Sequence, residues 1–144
     1  MANSFVRYTG NGSTAAFAIP FSYRSVDDLS TTVAGVTVTA YSLDGAGTTL
    51  TFDVAPASTT AVEIRRTTSQ TTKLVDYVSG SVLTENDLDT DSDQAFFMSQ
   101  EAIDDANDVI SLDNADFHWD VQSKRLKNVA TPTADDDAVN KGFI

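Results

Sequence analysis

The sequence predicts a mainly β fold with one long helix: a small N-terminal β-sandwich or open barrel, then an amphipathic helix, then a short β or coil segment. Three observations carry this. Up to about residue 80 apolar and polar residues alternate with period two; from Thr84 to Ile110 the period becomes helical; beyond that, apolar residues thin out. With 144 residues, 41% of them apolar, the chain suits one core rather than two.

Taken in order, Phe5 to Thr9 and Ala15 to Phe21 read as a strand pair across Gly10-Asn11-Gly12. Val36, Val38 and Ala40 alternate with threonines and Tyr41. After the turn signal Asp44-Gly45-Ala46-Gly47, Leu50, Phe52 and Val54 alternate again, so the two runs read as a hairpin with one buried face. Val62 to Arg66 supplies a further strand, and Pro20 and Pro56 fall at joints rather than inside strands. Short strands separated by polar turns favour a sandwich or open barrel.

At Thr84 the pattern changes. Its hydroxyl suits a helix cap, and Glu85 and Asp87 in the first turn suit the positive end of the dipole. Phe96, Ile103 and Ile110 fall seven apart, as do Leu88, Ala95, Ala102 and Val109, with Ser99 and Ala106 between them, so all share one face. Such a helix reaches roughly 40 Å. Two readings of the stripe stand side by side: a helix lying across its own β-domain, or a parallel bundle in which three copies bury Phe96, Ile103 and Ile110. The opposite face of Asp, Glu, Asn and Gln reads as solvated in either case.

Beyond the helix, Asp113 to Asp116 reads as a turn, Phe117 to Val121 as a strand, and Asp135 to Lys141 as an acidic helix start. Leu126, Val129, Ala130, Ala138, Val139, Phe143 and Ile144 are too few to offset the roughly 1 to 2 kcal/mol of backbone entropy lost per ordered residue. The segment is therefore expected to borrow a core from partner chains. The expected division is 1–82 (β-domain), 83–112 (amphipathic helix) and 113–144 (a β or coil segment).

Charge narrows the function classes. The net charge is −12; residues 1 to 80 hold six acids and five bases, residues 81 to 120 twelve acids and no Lys or Arg, and residues 121 to 144 three acids and four bases. Nucleic acid and anionic membrane, both bound through Lys and Arg, are disfavoured as partners. There is no cysteine, hence no disulfide or thiolate metal site. No apolar run approaches the roughly 20 residues of a membrane span, and the N-terminus lacks a signal-peptide pattern, so the product reads as soluble.

Catalytic and metal signatures fail on inspection. Asp87, Asp89, Asp91 and Asp93 alternate like calcium ligands, but the sixth and twelfth positions of such a loop are Ser92 and Met98 instead of Gly and Glu. His118 is the only histidine, with no Cys or glycine-framed Ser to activate. No cofactor or metal is implied. Arg65 and Arg66, adjacent on a strand, point to opposite faces, one outward as a docking contact and one toward an acid.

Several stretches together resemble the N-terminal domain of the T7-like phage tail fibre family. They are Phe17-Ala18-Ile19-Pro20-Phe21-Ser22-Tyr23, Val62 through Thr68, Leu74-Val75-Asp76-Tyr77, Gly80-Ser81-Val82-Leu83, and Leu88 opening the helix, spread over most of residues 1 to 110. Arg125 through Pro132 with Asp137-Ala138-Val139 is similar to a run in phage fibres where a trimeric shaft begins. The resemblance implies a structural, non-enzymatic virion tail protein, assembled in the host cytoplasm as a homotrimer. Its first domain would dock on tail tube proteins (adaptor or nozzle), with Phe21, Tyr23, Arg65 and Arg66 as candidates. Host contact would fall to a distal part, either on a longer version of this chain or on a separate receptor-binding protein. The expected trimer interface is Leu88, Ala95, Phe96, Ser99, Ala102, Ile103, Ala106, Val109 and Ile110. The alternative function is a carbohydrate-binding adhesin that stacks sugars on Tyr77, Phe117 and Trp119.

Overall fold

The period-two segments form two antiparallel sheets facing each other. In the computed structural model, which describes residues 1–142, one sheet holds β1 (Phe5–Thr9), β3 (Leu29–Val33), β4 (Val36–Thr37) and β7 (Ala61–Arg66), in the order β1-β7-β3-β4. The other holds β2 (Ala16–Ala18), β5 (Tyr41–Leu43) and β6 (Thr49–Phe52), in the order β2-β6-β5. Phe17, Ile19, Leu29, Leu50, Phe52, Val62 and Ile64 fill the space between them. Phe52 meets Phe17 and Tyr41 edge-on, at 5.8 and 6.4 Å between centroids, the orientation that aromatic quadrupoles favour. This is the expected sandwich, and its sheets stay open rather than closing into a barrel.

Strand pairing departs from the sequence expectation twice. β1 does not pair with β2; it pairs with β7, Val6 opposite Ile64 and Tyr8 opposite Val62. The chain crosses between sheets at Gly10 because that segment bonds to the loop before β7: Gly10 N–H donates to Thr60 O (2.8 Å) and Gly12 N–H to Pro56 O (2.9 Å). The second predicted hairpin is also divided. β6 pairs with β5, whereas Val36 belongs to β4, which folds back on β3 through Ala34 and Gly35, both at positive φ (52° and 79°) as a two-residue hairpin turn requires. Leu50 and Phe52 are buried as expected, but Val36 and Val54 lie exposed because neither has the opposite sheet above it.

Gly10 has no room for a side chain. A Cβ there would stand 2.3 Å from Ala57 O and 2.8 Å from Pro56 O, against backbone that cannot give way. Gly10→Ala is expected to cost about 1–3 kcal/mol, the usual range for overpacking, read as a lowered urea midpoint. Gly45→Ala, which meets nothing within 4 Å, should leave the midpoint nearly unchanged.

After a connector over residues 67–84 comes α1 (Glu85–Asn107), 23 residues long and so about 35 Å. It ends earlier than its pattern predicts, leaving Val109 and Ile110 off the helix. The chain divides into two compact units, Met1–Ala106 and the residues from Asn107 onward. The helix up to Ala106 thus falls in the same compact unit as the sandwich. The second unit carries a small hairpin, β8 (Ser111–Leu112) with β9 (Trp119–Asp120), closed by the expected turn but shorter than the predicted Phe117–Val121 strand. Asp135 to Asp137 forms a turn, not a helix start. Asp137 accepts from Thr133 N–H and Ala134 N–H (2.7 and 2.9 Å), and these bonds hold its carboxyl below the ordinary carboxylate value. Phe143 and Ile144 lie outside the described residues.

Candidate functional site

The helix decides what this molecule can do, since it has two seven-spaced stripes. Its start is set by Thr84, whose hydroxyl accepts from Asp87 N–H (3.2 Å) and donates to the Asp87 carboxylate (2.7 Å), a reciprocal cap. From there, Thr90, Gln94, Phe97, Glu101 and Asp104 form the buried stripe. All but Phe97 are polar; Glu101 and Asp104 depart from the expected solvated face, while Glu85, Asp89 and Asp105 remain exposed.

The polar side chains among these meet hydrogen-bonding groups of the sandwich or of the connector. Alternation along β7 puts Val62, Ile64 and Arg66 on one face; the first two enter the core, and Arg66, 1% exposed, passes beneath the helix. Its guanidinium donates to Glu101 Oε1 (2.8 Å), Gln100 Oε1 (3.0 Å), Ser22 O (2.5 Å) and Phe97 O (3.1 Å), and lies 4.0 Å from the centre of the Phe97 ring. Glu101 also accepts from Thr68 N–H and hydroxyl (3.0 and 2.7 Å). Asp104 accepts from the N–H groups of Asn3 and Ser4 and from the Ser4 hydroxyl (2.8, 2.7 and 2.6 Å). Gln94 holds the connector, accepting from Leu74 N–H and donating to Ser69 O and Thr72 O. Arg24 adds bonds to Asp93 and Thr90. Among the described residues every buried side-chain nitrogen and oxygen has a partner.

The second stripe faces away from the sandwich. Leu88, Phe96 and Ile103 are 52%, 58% and 56% exposed, and Ala95, Ser99, Ala102 and Ala106 are exposed between them. A helix that buries Glu101 and Asp104 and turns its larger apolar side chains outward departs from the usual arrangement of a surface helix. Val109 and Ile110, also exposed, follow in the second unit.

Of the four docking candidates, three reach the surface. Phe21 is half-buried beside a groove of about 260 Å³ that also involves Pro20, Met1 and Phe96. The Tyr23 hydroxyl donates to Gly47 O (2.7 Å), tying it to the β5–β6 turn. Arg65 lies on the outer face of the first sheet, where it and Arg7 bracket the Phe5 ring at 4.4 and 4.3 Å. Arg66 is withdrawn by its burial: its task is to hold the helix, and it presents no surface for docking.

Glu63 sits between those two outer arginines, 2.8 Å from each. Burial pushes its carboxyl up, but hydrogen bonds and charge from Arg65 and Arg7 outweigh this and hold it below its ordinary value of 4.5. A carboxylate lowered in the folded state contributes stability above its unfolded pKa and loses it as pH falls through the folded one. Glu63→Gln should therefore flatten the fall of stability below about pH 4.5, measured by urea melts across the acid range.

The sequence matches the family described as "Phage T7 tail fibre protein, N-terminal domain" over residues 1–121. The chain belongs to this family. The tail fibre domain is 34% identical, over 155 aligned positions, to the tail fiber protein of Escherichia phage T7 and 35% identical to that of Enterobacteria phage T3. Each alignment covers all of this chain and 28% of the relative, so the chain spans just over a quarter of those proteins. A capsule KN4-specific depolymerase of Klebsiella phage KN4-1 is 37% identical over 83 residues, 58% of this chain and 10% of that protein. Membership makes this a structural protein of the phage virion tail. No helix among the described residues is long and apolar enough to cross a membrane.

In the second unit of the tail fibre domain, Phe117 and Trp119 stand 72% and 73% exposed, and His118 pairs through Nδ1 with Asp116 Oδ2 (3.2 Å). Tyr77 belongs to the first unit, its hydroxyl donating to Asp87 O (3.3 Å) at the start of the helix. The residues that sequence reasoning missed are Gln94, Glu101 and Asp104. The available signal was Arg66 itself, whose strand parity points it inward, where an acid must meet it.

Proposed function

We propose that this domain is the attachment module of a homotrimeric tail fibre, fixing the fibre to the virion tail while its helix joins three chains. One observation carries the reading: the helix is bolted to its own sandwich through polar contacts and leaves its apolar stripe free for other copies. Seven-residue spacing suits a parallel seam between helices. The depolymerase match adds support. A block shared by a protein named tail fiber and one named capsule-specific depolymerase, while covering a tenth of the latter, suits an anchor better than a catalytic or receptor-reading part. On this reading the domain itself is not an enzyme, and Phe21, Tyr23 and Arg65 face tail tube proteins.

Mass measurement in solution tests it. At micromolar concentration the chain should sediment and scatter at three times its 15.4 kDa. A strictly monomeric species would refute the trimer. The exposed Phe117 and Trp119 support a second reading, an adhesin that stacks host sugars on these rings. Titration with host polysaccharide separates the two, because an anchor gives no saturable binding.

A further inference from the structure

The outward stripe has unequal edges, and the two edges match. Successive helix residues advance 100°, so Phe96 and Gln100 lie along one edge of the outward face and Asp91 and Met98 along the other, next to the buried Gln94. On the second edge the connector, pinned by Gln94 through Ser69, Thr72 and Leu74, walls off a groove of about 300 Å³. Its floor is Ala95 and Met98, and its rim includes Thr72, Lys73 and Asp91. Phe96 is the largest exposed side chain of the helix, and the groove occupies the same turns, residues 91 to 98.

We propose that, in the trimer, Phe96 of each chain inserts into this groove of the next chain. The inference rests on the homotrimer proposed above and specifies how its subunits recognise each other. Cyclic symmetry supplies the first reason. Around a threefold axis the interface is heterologous, so one edge of every helix must meet the opposite edge of its neighbour at the same height. The seam between the edges supplies the second. Ser92, Ala95, Ser99, Ala102 and Ala106 repeat at spacings of three and four, and such small side chains let helix axes approach closely while burying little area themselves. Stable interfaces bury more than about 1,000 Å², so the larger residues at the edges must contribute.

Chemistry supplies the third reason. A phenyl ring in this groove would meet the Met98 thioether, a favourable neighbour for an aromatic edge, and the Lys73 ammonium, a favourable neighbour for an aromatic face. Lys73 is largely exposed, and the structure gives it a single long pairing, with Asp76 at 4.0 Å. The groove is therefore suited to an aromatic side chain rather than to any apolar one.

The chain with Phe96 replaced by the photoreactive p-benzoyl-phenylalanine tests the contact directly. Irradiation should link chains, and peptide mapping should place the link on Met98 or residues 69–73 of another chain. A link to the neighbour's own position 96, or a trimer by mass with no link between chains, overturns the proposal while leaving the trimer standing. A monomer by mass overturns both. The second measurement uses natural side chains. Phe96→Leu should raise the midpoint concentration for dissociation about tenfold, and in a chain already carrying Lys73→Gln and Met98→Leu the same change should have far less effect. Equal effects in both backgrounds would overturn it.

Discussion

Arg66→Ala is expected to destabilise the domain by about 3–5 kcal/mol, because it strands Glu101 in the interior without its counter-charge. In the native chain that carboxylate is 6% exposed and is satisfied from two sides, by Arg66 Nε and by the Thr68 N–H and hydroxyl. Removing the guanidinium also takes one donor each from Ser22 O and Phe97 O and opens a void beside the Phe97 ring. Glu101→Ala should cost a similar amount for the converse reason. The informative variant is the double replacement Arg66→Met with Glu101→Met, which removes both charges while keeping volume. It should recover most of the loss, since a buried ion pair stabilises little relative to well-packed apolar groups while an unpaired buried charge is costly. Urea melts of the four proteins give the coupling energy directly. If the single variants melt like the parent, the helix is not held to the sandwich by this pair.

The same pair explains what the sequence could and could not reveal. Leu50, Phe52, Val62 and Ile64 are legible as core because alternation marks which side chains share a face. It does not name the neighbouring strand. Gly10-Asn11-Gly12 looks like a local hairpin turn, whereas β1 finds its partner more than fifty residues away in β7. Thr84 is legible as a cap because its chemistry is local. The helix is harder. Apolar and polar stripes run along it with the same spacing, and hydropathy alone assigns the apolar one to the chain's own core. What reverses the assignment is tertiary: β7 delivers an arginine, and the segment before β1 delivers the Asn3 and Ser4 N–H groups, to places where Glu101 and Asp104 accept from them. Seven of the nine interface candidates, Leu88 through Ala106, were legible as one helix face; Val109 and Ile110 lie beyond the helix. Their direction was not, because it depends on contacts between Asp104 and Ser4, a hundred residues apart.

Ile103→Asp should act on assembly and leave the fold intact, the opposite of Arg66→Ala. Within one chain Ile103 is more than half exposed, so a charge there stays solvated in the monomer. Surface changes of this kind shift folding stability by only about ±0.5 kcal/mol. In the proposed trimer each carboxylate would be buried in the seam between two helices, costing several kcal/mol of desolvation, enough to weaken association on the order of a thousandfold or more. The variant should therefore sediment as a monomer at micromolar concentration. It should nonetheless keep the helix signal in circular dichroism and the urea midpoint of the parent measured at dilution where the parent too is monomeric. Loss of the fold would instead show that Ile103 faces the sandwich, and an unchanged trimer would move the seam elsewhere on the chain. The separation of these two outcomes follows from the division of labour on the helix: Gln94, Glu101 and Asp104 satisfy the domain's own polar groups, which leaves Phe96 and Ile103 free to choose a partner.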